Sequence, residues 1–109
     1  MTKIQIYKDS TGNYLGFQCR DHAGSGEYGF DIVCAAISVL TINTINSLEQ
    51  LTKDTFKVNQ DEELGLIELK FNHKISDASR LLMDSYVMGI ESVQESYGSK
   101  YIQVFHKEV

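Results

Sequence analysis

Polar and apolar residues alternate from Lys3 to Tyr7, with Ile4 and Ile6 on one face, and this predicts a strand. Asp9 to Asn13, "DSTGN", has turn composition, and Tyr14 to Cys19, "YLGFQC", predicts a second strand, so the two form a hairpin. A loop from Arg20 to Phe30 follows. From Asp31 to Leu51 the period changes to three or four. Val33, Ile37, Leu40, Thr44, Leu48 and Leu51 recur at that spacing with Ile32, Ala36 and Ile45 beside them, which predicts a largely buried helix N-capped by Asp31. Phe56 to Val58 is a short strand, Asn59 to Glu63 an acidic turn, and Leu64 to Phe71 a strand with one slip in its alternation. A second helix starts at Ser76 or Asp77 and runs to about Ser96. Its expected face is Ala78, Leu82, Tyr86, Ile90, Val93 and Tyr97. Tyr101 to His106 alternates again as a closing strand.

The order β-β-α-β-β-α-β predicts an α+β domain of two layers, a mixed and mostly antiparallel sheet with two helices on one face. The 109 residues contain no proline and no low-complexity stretch, so a single domain over 1–109 is expected. The net charge is −5 and the pI about 5.0. That balance argues against a broad phosphate-binding surface, and direct nucleic-acid binding is not expected. It suits a basic peptide or protein partner. No signal-peptide pattern opens the chain, and no apolar run approaches the roughly 18–20 residues of a membrane span. The two cysteines make no disulfide framework, and a cytoplasmic location is the expectation.

The chemistry is concentrated in "DHAGSGEYGFDIVC", Asp21 to Cys34. Gly24, Gly26 and Gly29 match the spacing of a dinucleotide fingerprint, but a hairpin precedes the helix and another follows it, whereas that motif needs a parallel β-α-β unit. Cys19, His22 and Cys34 offer three metal ligands, with His73 and His106 as distant candidates. Structural zinc sites come as two close ligand pairs, and only one pair is present. Cys19 reads more simply as a small buried hydrophobe. The remaining possibility is a thiol nucleophile. With Asp31 as N-cap, Cys34 is the third helical residue, where unpaired N–H groups and the helix dipole favour the thiolate. Those N–H groups are also placed to stabilise an oxyanion. His22 can fold back as general base because the glycines permit it. A buried helical cysteine beside Ala35 and Ala36 is the competing structural explanation.

The segment "HAGSGEYGFDIVCAAIS", His22 to Ser38, closely resembles the Prp, or YsxB-like, ribosomal-processing cysteine proteases. Their pattern is Gly-His-Ala, a loop with Gly-Glu-Tyr-Gly, then Asp, two aliphatics, Cys-Ala and a downstream Ser. The size and element order resemble the whole family domain. The resemblance implies a cysteine endopeptidase that removes the N-terminal extension of large-subunit ribosomal protein twenty-seven. Cys34 would be its nucleophile and His22 its base. Asp31 falls on the family's acidic position, either capping the helix or orienting His22, and Ser38 falls on its serine one turn later. Ala23, Gly24, Gly26, Glu27, Tyr28 and Gly29 would form a substrate-gating loop, with Asp21 and Glu27 attracting a basic terminus. No cofactor or metal is implied, and a homodimer is. Asp21 stands where the family has glycine. The rival class is a non-catalytic, ribosome-associated peptide-binding module in which Cys34 merely packs. A redox enzyme is disfavoured by the lack of a Cys-x-x-Cys pair.

Overall fold

A computed structural model describes residues 1–21 and 28–109; the side chains of residues 21–31 are outside the description. In chain order the elements are β1 (Thr2–Lys8), β2 (Tyr14–Asp21), α1 (Tyr28–Leu51), β3 (Phe56–Asp61), β4 (Leu66–Phe71), α2 (Asp77–Tyr97) and β5 (Ile102–Glu108). One five-stranded sheet has the order β3-β4-β2-β1-β5. Only β1 and β5 pair in parallel; the other neighbours are antiparallel. This is the expected mixed, mostly antiparallel α+β architecture.

Alternation along the strands creates two unlike faces. Ile4 pairs with Cys19 and Ile6 with Phe17 across β1 and β2, and Phe17 pairs with Leu69 of β4. These residues are buried, as are Ile102 of β5, Val33, Ile37 and Leu48 of α1, and Met83, Tyr86 and Ile90 of α2. They form one core cluster between the sheet and the two helices. At roughly 1.5–3 kcal/mol for each large apolar side chain buried, this cluster is the main favourable term in the fold. Gly16 sits where β2 passes β4 most closely: a Cβ there would lie 2.1 Å from the Leu69 carbonyl oxygen, and its φ of 155° is unfavourable for an L side chain.

Two buried tyrosine hydroxyls in the core are paired. Thr41 Oγ1 and Tyr86 OH lie 2.9 Å apart in the core, under Phe17, whose ring centre is 4.7 Å from that of Tyr86. Tyr14, also in the core, donates its hydroxyl to Asp84 at 2.5 Å. Burial, followed by that bond, raises the Tyr14 pKa well above its ordinary value.

Several boundaries differ from the sequence expectation. The second strand continues through Asp21 rather than ending at Cys19. Asn59, Gln60 and Asp61 belong to β3, and the turn falls at residues 62–65, with Gly65 at φ 60°. Because β3 is an edge strand, its polar side chains stay in water, and it carries little periodicity to read. The buried face of α2 is Ser79, Met83, Tyr86, Val87 and Ile90, so Ala78 and Tyr97 point outward. Leu51 is likewise exposed, and Thr41 is buried in its stead.

One stretch of α1, Ile32–Leu51, is long and apolar enough to cross a membrane by length and composition, with a mean hydropathy of 1.5. This corrects the expectation that no run approaches that length. Val33, Ile37, Thr41 and Leu48 from the same stretch pack into the core, and 28% of the stretch is buried, so the helix is amphipathic rather than largely buried as expected.

Candidate active site

Helix α1 begins at Tyr28, three residues before Asp31. Asp31 is therefore the fourth helical residue and does not cap the helix, contrary to expectation. Tyr28, Gly29 and Phe30 supply the first turn instead of belonging to the loop. Cys34 is then in the second turn. The four unpaired N–H groups of a helix start belong to its first four residues, and the dipole's influence fades within the first turn. The expected oxyanion donors beside Cys34 are thus no longer supplied by the helix end.

The surroundings of Cys34 come from the sheet instead. Its side chain is half-buried, and Sγ lies 3.9 Å from Oγ1 of Thr2, within reach of a weak sulfur hydrogen bond. Thr2 is 1% exposed and opens β1. It is fixed on both sides. Its N–H donates to the Tyr101 carbonyl at 2.9 Å, and it pairs with Ile102 of β5 and Asp21 of β2. The sequence gives no hint of Thr2, because its partner sulfur is 32 residues away and only sheet register joins them.

Asp21 ends β2 directly across from Thr2. No non-glycine residue among those described has a positive φ, so Asp21 carries an extended backbone and meets no penalty for replacing glycine. His22 follows it in the chain. His22, Ala23, Gly24, Gly26 and Glu27 all lie outside the described residues, as does the side chain of Asp31.

Ser38 lies one turn beyond Cys34 on α1 and is exposed. It borders a cleft of about 240 Å³ between α1 and the β3–β4 hairpin. Ile37 and Thr41 line it from the helix, with Ile67, Asp61 and Glu62 from the hairpin. The other metal-ligand candidates disperse. Cys19 is buried in the core. The His106 ring is 2.9 Å from Glu91, and His73 Nδ1 is 2.9 Å from the Lys74 carbonyl.

A half-buried thiol on a helix, one turn from a residue that borders a cleft and beside the start of a strand paired to one that leads into a histidine, fits a peptide-cleaving site. The profile of one family, cysteine protease Prp, matches residues 1–103. The chain belongs to the Prp family. It is a cysteine protease by that membership. The ribosomal processing cysteine protease Prp of Staphylococcus aureus (strain Mu50 / ATCC 700699) is 26% identical over 97 residues, covering 89% of this chain and 92% of the relative. The corresponding Prp of Bacillus subtilis (strain 168) is 22% identical over 101 residues, with 89% and 90% coverage. Among solved structures, S. aureus Prp with a covalently linked product peptide superposes with a TM-score of 0.87 at 25% identity, over 98% of this chain and all of that one. A Streptococcus mutans protein, SMU.848, gives a TM-score of 0.88 at 29% identity, covering 100% of this chain and 99% of its own.

Proposed function

We propose that this Prp-family protease removes the N-terminal extension of large-subunit ribosomal protein twenty-seven in the cytoplasm, acting through one domain spanning 1–109 with Cys34 as nucleophile and His22 as base. The observation that carries this reading is the pairing of Asp21 with Thr2, whose hydroxyl touches the Cys34 sulfur. The residue after Asp21 is one peptide unit from that neighbourhood. The ribosomal processing role named for the S. aureus and B. subtilis relatives supports the substrate class.

In the proposed mechanism His22 takes the Cys34 proton, and the thiolate attacks the scissile carbonyl carbon. As the tetrahedral adduct collapses, the C–N bond breaks and the His22 imidazolium protonates the leaving amine. Water, deprotonated by His22, then opens the thioester and returns the thiol. Thr2 donates to sulfur and holds it in place. Asp31, which is not a cap, orients the His22 ring. The cleft beside Ser38 seats the peptide next to the thiol, with the loop of Ala23 to Glu27 closing over it. Glu62 at the cleft, with Asp21 and Glu27, attracts the basic terminus of a ribosomal protein.

Cleavage of the full-length ribosomal precursor by wild type, Cys34→Ala and His22→Ala is the direct test. Both variants should lose at least about 10³-fold in turnover. Retained cleavage by Cys34→Ala would falsify the mechanism. Rapid iodoacetamide labelling of Cys34 but not of buried Cys19 is expected; equal slow labelling favours the peptide-binding module.

The protease is also proposed to be a homodimer. Val39 and Ile42 on α1, 67% and 49% exposed, form an apolar strip beside Ser38. Light scattering should report a dimer that Ile42→Glu dissociates; a monomeric wild type excludes it.

A further inference from the structure

The sheet face turned away from the helices has a charge opposite to that of the protein. Lys3, Gln5 and Tyr7 of β1 point there, and register carries Gln18 and Arg20 of β2, Glu68 and Lys70 of β4, Lys57 and Asp61 of β3, and Phe105 and Lys107 of β5 to the same side. Every strand thus contributes one lysine or arginine, half of the chain's 10, in a protein of net charge −5. Both carboxylates on this face already have partners. Glu68 accepts from Tyr7 OH at 3.3 Å and Gln18 Nε2 at 3.2 Å and lies 3.9 Å from Lys70 Nζ, while Asp61 accepts the Leu64 N–H at 3.2 Å. Lys3, Lys57 and Lys107 are exposed and make no ion pair among the described residues.

Two placements work against the isolated fold. Lys3 lies directly opposite Arg20, and Lys57 directly opposite Lys70. Like charges across a strand pair destabilise a sheet. Arg20 Nε is in addition buried with no hydrogen-bond partner among the described residues. Between Lys70 and Lys107 the surface sinks into a hollow of about 410 Å³ lined also by Tyr7, Leu15 and Phe71. Phe105, 46% exposed, stands on the same face. Cationic side chains around a hollow, with an exposed ring, suit a flexible polyanion whose bases stack. A second copy is disfavoured, because a two-fold interface would lay this patch on itself.

We propose that the open sheet face binds single-stranded RNA. The choice of RNA among polyanions rests on the ribosomal reading above; the charge pattern itself does not depend on it. Cys34 touches Thr2, which points to the helix side, so the RNA face and the thiol lie on opposite sides of the sheet. The protease can therefore be seated on RNA with its active site unobstructed. A net charge summed over the chain does not record which face a strand residue occupies.

The test is fluorescence anisotropy of a labelled 20-nucleotide single-stranded RNA with the full chain, which needs no cleavage, so its failure and that of the protease reading are separable. With about four phosphate contacts, binding should weaken roughly fifty-fold between 50 and 200 mM salt. Lys57→Gln, Lys70→Gln and Lys107→Gln together should cost at least about ten-fold at 50 mM salt and flatten the salt dependence. Lys53→Gln, Lys74→Gln and Lys100→Gln together, the same charge change off this face, should leave binding within about two-fold. Lys57→Gln alone should raise the melting temperature slightly while weakening RNA binding. No binding at roughly 100 µM protein and low salt, or equal loss in both triple variants, would overturn the proposal. Preferential binding to phosphatidylglycerol vesicles, or loss of self-association in the first triple variant with RNA binding intact, would assign the face to a membrane or to the dimer.

Discussion

The two helices of this protease start in opposite ways. At the start of α2, Ser76 caps by accepting the Ser79 N–H, and Asp54 accepts from the Ser76 N–H, the Ser76 hydroxyl and the Ser79 hydroxyl. The carboxylate of Asp54 is pushed up by desolvation, but the bonds from Ser76 and Ser79 outweigh this and hold its pKa below the ordinary value. At the start of α1, Asp31 is the fourth residue of the helix rather than the residue before it. The start that serves stability is held by a local side-chain network. The proposed mechanism gives the acid inside α1, Asp31, a different task, orienting His22.

Three perturbations test this contrast. The largest effect is expected from Asp31→Asn: about 10²-fold or more lost from kcat in precursor cleavage, with little change in melting temperature, if its task is to orient His22. A substantial melting shift with unaltered kcat would return Asp31 to a structural role. Next, Asp54→Ala should lower unfolding free energy by about 2 kcal/mol in urea titration, because it leaves the buried Ser79 hydroxyl and the α2 start without their acceptor. Cleavage under folding conditions should be unchanged. Acid should have the smallest and most selective effect. A folded-state pKa below the unfolded one adds stability above the unfolded value, and that stability is lost as pH falls through the folded value. Hydrogen exchange at the start of α2 should therefore accelerate below the ordinary carboxylate range. The Asp9 turn should follow between about pH 4 and 2: the Thr11 hydroxyl, then the Asn13 N–H, holds the Asp9 pKa to about 2. If exchange near α1 accelerates first, the assignment of stability to α2 is wrong.

What could be read from the sequence follows the same division. Ser76 and Asp77 carry an ordinary cap signal, and α2 starts where they say. Alternation located β1 and β5 to within two residues, because one face of β1 is buried and β5 starts on buried Ile102. The polar end of edge strand β3, Asn59 to Asp61, resembled a turn because water solvates both its polar residues and a turn's. The start of α1 was misread because an Asp before an apolar run is a cap signal, and here tertiary context extends the helix past it. The family motif marked Cys34, His22, Asp31 and Ser38 as candidates. It did not indicate Thr2, whose place beside the sulfur depends on register rather than on any local pattern.

Pairing Thr2 with Ile102 joins residues at nearly opposite ends of the chain. Such a contact closes late, since the ends of a long loop must meet before its enthalpy is gained. During synthesis on the ribosome, the thiol and its helix emerge well before β5 can dock against β1. A partly made chain thus carries Cys34 without the threonine fixed beside it. On the mechanism proposed above, the cutting geometry forms only when the sheet is complete, a timing control written into strand order.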